Sequence, residues 1–146
     1  MTEREAIEGI LETFESGWET LHPASVSDPD CVPWTTKNED FDETQLGVLG
    51  AWARIAIIHT SAEQITQGLA PVRKFERRGN VFVQLFAPVA AGVGLLADLA
   101  QDVRTVLEGQ RVGALNLAAG RTQEGAEDAR WAMVSVVIPF RYVDQR

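Results

Sequence analysis

Apolar residues recur at three- and four-residue spacing twice along the chain. The first set is Ile7, Ile10, Leu11, Phe14 and Trp18, and the second is Leu95, Leu96, Leu99, Val103, Val106 and Leu107. Each lines one face of a 3.6-residue repeat, which predicts amphipathic helices over about Glu3 to Trp18 and Leu95 to Leu107. Thr2 and Glu5 have the spacing of a capping box at the start of the first, and Gly109 supplies a stop for the second. Between the helices the period changes. Ala51 to Thr60 is a strongly apolar strand, and Val72 to Phe86 reads as a hairpin whose turn spans Arg77 to Asn80, with Gly79 taking positive φ. Val112 to Leu117 predicts a short strand and Ala118 to Asp128 a polar loop. Trp131 to Phe140 alternates cleanly, with Val134, Val136, Ile138 and Phe140 on one apolar face and Pro139 marking an edge or a strand end. The order is helix, long loop, three antiparallel strands, helix, two strands. It predicts one α+β domain over 1–146, a mainly antiparallel sheet of four to five strands with two helices packed on one face.

The segment 21–49 breaks both periods. Pro23, Pro29 and Pro33 and the acidic run Glu39, Asp40, Asp42 and Glu43 make it a long irregular loop, and loops beyond about 12 to 15 residues are usually functional or disordered. Trp34 and Phe41 argue against plain disorder, because each brings a large apolar surface that must be covered. Either they tuck the loop onto its own domain, the commoner outcome for such side chains, or they wait for a partner.

Composition narrows the function classes. With 146 residues and 45% hydrophobic content, the chain can build a core without metals or cross-links, and Cys31 is its single cysteine. The acidic, amphipathic start argues against a secretion leader, and no run of eighteen apolar residues suggests a membrane span. The net charge of -8 is unevenly spread: residues 1–50 carry twelve acids against Arg4 and Lys37, whereas residues 51–90 carry two acids against five bases. An acidic protein repels phosphates at long range, which disfavours sequence-specific nucleic-acid binding.

Little in the chain suits catalysis. His22 and His59 form no ligand pair, and no HxH, HExxH or CxxC spacing exists for zinc. His59 and Ser61 lie two apart on one strand, pointing to the same side with no third partner, so His59 reads as a structural histidine. The run from Ala90 to Leu95, with Gly92 and Gly94, lacks the third glycine and the Lys-Ser/Thr of nucleotide loops. The Glu39 to Glu43 acids lack the glycine that bends a calcium loop. The residues therefore predict no catalytic site, no metal and no cofactor, with a small metal-dependent enzyme using the acidic loop as a minor alternative.

Trp52-Ala53-Arg54 opens the first strand. Arg73-Lys74-Phe75-Glu76-Arg77-Arg78-Gly79 leads into Val81 to Phe86, a glycine-containing run enters a helix, and Trp131 precedes Ile138-Pro139-Phe140. Together with the amino-terminal helix and Pro33-Trp34, this pattern resembles the tail terminator-like proteins of long-tailed bacteriophages and prophages over about residues 1 to 143. The resemblance implies a virion protein, made in the bacterial host cytoplasm, that forms a hexameric ring at the neck end of the tail. It would cap the tail tube protein, end tail polymerisation and dock the head connector, with DNA only passing through its lumen. A neck or stopper protein of the same assembly is the alternative.

A ring needs one face of each subunit to meet a different face of the next, and a basic hairpin beside an acidic half offers complementary faces. Arg73, Phe75, Arg77 and Arg78 are candidates for the subunit interface, along with Trp34 and Phe41. Asp40, Asp42 and Glu43, with Glu124, Glu127 and Asp128, are candidates for lining the DNA passage, where carboxylates would form no retarding phosphate contacts.

Overall fold

The computed structural model describes residues 1–125 and 128–146. Helix α1 spans Glu3–Leu21 and opens with the expected capping box: Glu5 N donates to Thr2 Oγ1 at 3.2 Å, and Thr2 N donates to Glu5 Oε2 at 2.9 Å. Its buried stripe is Ala6, Gly9, Ile10, Phe14 and Trp18. Helix α2 spans Val93–Leu107, entered through Gly92 at φ +80° and followed by Gly109 at φ +74°, which lets the chain turn away after the last helical carbonyls.

Seven strands follow in chain order: β1 Trp34–Thr36, β2 Trp52–Gln64, β3 Lys74–Pro88, β4 Arg111–Val112, β5 Leu115–Leu117, β6 Arg121–Glu124 and β7 Trp131–Gln145. They form one sheet in the order β1-β2-β3-β7-β5-β4, with β6 also paired to β7. The expected fold class does not hold. In place of four to five antiparallel strands with helices laid on one face, the sheet is seven-stranded and mixed, because β1 runs parallel to β2, and it curls into a half-barrel. Helix α2 packs on β3 and β7, while α1 packs chiefly on α2. Three residues of β1 inside a proline-rich loop carry no readable periodicity, and neither do the two residues of β4.

The largest local correction concerns Gly79. No turn exists at Arg77 to Asn80: β3 runs straight through it, paired with β2 on one side and with β7 along its whole length on the other. The reversal lies at 65–73 instead. Gly79 has no positive φ, and its missing side chain makes room for a neighbour. A Cβ there would lie 2.3 Å from the Ile58 carbonyl oxygen and 2.5 Å from Phe140 Cζ. Phe140, directly opposite in register, lays its ring over the glycine. The β2–β3 register shifts between His59 and Ser61, a bulge that adds twist at this point.

Side chains alternate cleanly on the long strands. Val81, Val83, Leu85 and Ala87 of β3 and Val136, Ile138, Phe140 and Tyr142 of β7 enter the core with both helices. The opposite side carries Glu76, Arg78, Phe82, Gln84 and Phe86 of β3.

The long segment 21–49 is tied down at several points. Trp18 Nε1 donates to the Val32 carbonyl at 2.9 Å. His22 lies against the Trp18 ring at 4.4 Å, with Nδ1 2.7 Å from the Asp30 carbonyl and Nε2 2.8 Å from Asp102 Oδ2 on α2. A carbonyl only accepts, so Nδ1 carries a proton there. This bridge joins α1, the loop and α2. Asp102→Ala, which strips the His22 ring of its carboxylate, is expected to cost about 1 to 3 kcal/mol. Urea denaturation checks it, and a midpoint unchanged from wild type would mean that the bridge contributes nothing.

Candidate functional site

Beyond the core, β2 and β3 continue, with β7 still paired beside β3, as one less buried end of the sheet. The loop 65–73 at its tip leaves Leu69 84% and Val72 58% exposed, with Ile65 beside them. Residues two apart on a strand share a side, so Arg73, Phe75 and Arg77 converge as their spacing predicts. The structure adds a fourth member. The guanidinium carbons of Arg73, Arg77 and Arg146 lie 5.8, 5.9 and 6.0 Å from the Phe75 ring centre, within reach of its negative face. Beneath them Asp144, nearly buried, accepts from Arg77 Nε at 3.2 Å and lies 3.5 Å from Arg146 Nε. Arg73 Nε donates to the Arg146 carbonyl at 3.2 Å, knitting the end of β7 to the base of the tip. Arg78 is not part of this group. It stands on the other side of the sheet, paired with Glu76 at 2.7 Å.

Trp34 and Phe41 both pack on their own chain. Trp34 meets Phe14 of α1 edge-on at 5.2 Å. Phe41 stacks on Trp52 at 4.1 Å, and Phe86 stacks on the other face of the same indole at 4.1 Å, with Trp131 edge-on at 6.2 Å. Arg54 lies over this cluster, 5.2 Å from the Trp52 ring centre and 5.8 Å from that of Phe86. Its Nε and the Trp52 indole nitrogen are buried without a hydrogen-bond partner among the described residues.

The acids nominated for a passage lining fall in three places. Asp40, Asp42 and Glu43 stay exposed in the loop, and Glu43 grips the guanidinium of Arg130 through two bonds of 2.8 and 3.1 Å. Asp42 accepts from the hydroxyl and backbone N–H of Thr44, and these bonds hold its carboxyl below the ordinary range. Asp128 accepts from the backbone of Trp131 and Arg130 with the same effect, and so fixes the entry to β7. A carboxyl depressed on folding stabilises the fold above its unfolded pKa and loses that contribution as pH falls through its folded value. Glu124 lies apart on β6, beside a hollow lined by Val93 and Leu96 of α2. Glu127 lies outside the described residues.

Among the described residues His59 and Ser61 are not brought together. The bulge turns Ser61 into register with Arg78 and His59 into register with Gly79, so the two face opposite sides of the sheet instead of sharing one. His59 Nε2 lies 2.8 Å from the hydroxyl of Tyr142, whose pKa is raised by burial, and Nδ1 lies 3.6 Å from Glu3. Cys31 is buried, and that burial pushes its thiol up, away from the reactive thiolate. Among the described residues no three His, Cys, Asp or Glu side chains gather as metal ligands, and no helix is long and apolar enough to cross a membrane.

No family model matches the chain, and no curated protein matches it. A solved structure that bears no functional name superposes on it with a TM-score of 0.65, covering 97% of this chain and 96% of its own, at 14% identity. That likeness is one of fold alone.

What sequence reasoning missed is the sorting of charge. On α1, Glu5, Glu8, Glu12, Glu15 and Glu19 are all exposed, along a stripe opposite the buried one. Across the sheet, Arg78, Arg141 and Arg111 stand in one row with Asn116, because β3, β7, β5 and β4 bring them into register. The glutamate stripe was legible as a three- and four-residue repeat. The arginines come from separate segments, and only strand register assembles them.

Proposed function

We propose that this chain is a ring-forming structural subunit of a long-tailed phage or prophage tail. It ends tube polymerisation at the head-proximal end and offers the surface on which the head connector docks. The reading starts from the sequence resemblance, and the observation that supports it best is the exposed end of the sheet formed by β2, β3 and β7. At its tip Leu69, Val72 and Ile65 are exposed, and behind them the Phe75 ring is set among three arginines. Clustered exposed apolar side chains beside aromatic and arginine anchors are the usual makings of a protein docking site. The partners on this reading are further copies of the chain, the tail tube protein and the connector. DNA passes through the lumen without being read, beside the exposed acids of the 40–43 loop.

Electron microscopy of particles from a host in which this gene alone is inactivated tests the role. Overlong, headless tails are the expected result. Free tails of normal length beside filled heads would move the protein to the neck, and intact tailed particles would remove it from tail assembly altogether.

A further inference from the structure

Two of the three arginines in the row on the sheet, and all five glutamates of the α1 stripe, lack an ion-pair partner among the described residues. Arg78 and Arg141 are directly opposite on neighbouring strands, a placement in which like charges destabilise each other. Glu76 relieves Arg78, but among the described residues no carboxylate pairs with Arg141 or Arg111, both exposed. Beside the row runs an open cleft of about 570 Å³ lined in part by Thr60, Asn80, Asn116 and Arg141. The stripe is equally uncompensated: none of its five carboxylates forms an ion pair among the described residues, and each repels the next at three- or four-residue spacing.

We propose that α1 of one copy lies across the arginine row of the next, as a head-to-tail contact between identical chains. This deepens the ring reading and rests on it. Successive stripe carboxylates rise about 4.5 or 6 Å along the helix axis, and neighbouring strands are about 4.8 Å apart. A helix crossing the strands therefore sets carboxylates over Arg78 and Arg141, and over Arg111 beyond Asn116. The two surfaces both turn away from the shared core, so one copy cannot satisfy its own charges. Two unlike surfaces on one chain make a heterologous contact, which closes into a ring when the rotation between copies permits. Nucleic acid phosphates would also suit three arginines, but the net charge of -8 opposes them and favours an acidic protein surface.

Two neutralised forms of the full chain test the contact, E8Q/E12Q/E15Q and R111Q/R141Q. All five side chains are exposed, and each set of changes removes repulsion within its own surface, so melting temperatures are expected to hold or rise. In sedimentation velocity at low salt the wild type is expected to self-associate, each variant alone to associate at least tenfold more weakly, and their equimolar mixture to form a pair and stop there. Only one intact stripe and one intact row remain in that mixture. Raising the salt is expected to dissolve the pair. A mixture that stays monomeric while the wild type associates overturns this contact, as does a wild type that stays monomeric. In either case the tail-length phenotype, read separately, still decides the ring. If R111Q/R141Q loses binding to a fluorescent DNA duplex with self-association intact, the row belongs to nucleic acid and the contact is wrong.

Discussion

Gly79→Ala is expected to destabilise the fold by about 3 kcal/mol or more, far beyond an ordinary surface change. Overpacking a close-packed site costs about 1 to 3 kcal/mol, and more where backbone must move. Here it must move, because the added methyl would lie 2.3 Å from the carbonyl oxygen of Ile58 as well as 2.5 Å from the Phe140 ring. The backbone contact gives a sharper prediction: Phe140→Ala opens space for the methyl on one side only, so it is not expected to rescue Gly79→Ala. Chemical denaturation of the two single variants and the double variant measures this. A cost under 1 kcal/mol would fit a loop glycine and refute a continuous β3 at this position.

Trp52→Ala is expected to cost about 3 to 5 kcal/mol, the range for removing a large buried aromatic. The indole is 6% exposed and stacked on both faces, by Phe41 from the long loop and Phe86 from β3, while Trp131 meets its edge. Each such pair adds about 0.5 to 1.5 kcal/mol beyond burial. Loss of the indole therefore frees the loop as well as opening the sheet's far side. Trp52→Phe keeps part of the stack and is expected to lose less than half as much. Limited proteolysis after Lys37 gives the local readout, with faster cleavage in Trp52→Ala under conditions where the bulk stays folded. If that cleavage rate matches wild type, Trp52 does not anchor the loop.

The sequence by itself determined that both helices form, because their burial follows a 3.6-residue repeat, and Thr2, Glu5 and Gly109 mark the start of the first and the end of the second; the other two ends lie beyond the expected Trp18 and Leu95, at Leu21 and Val93. It determined the apolar face of β7 and the convergence of Arg73, Phe75 and Arg77, since a strand's alternation is also local. It gave no means to judge Gly79, whose reason for being glycine lies in Ile58 and Phe140, brought against it only by pairing on both edges of β3. Trp34 and Phe41 were equally undecided until α1 and Trp52 came to meet them. Strand number, the parallel β1, the curl and the arginine row are likewise properties of register. Register joins residues separated by tens of positions, and no periodicity along one segment reports which other segment will lie beside it.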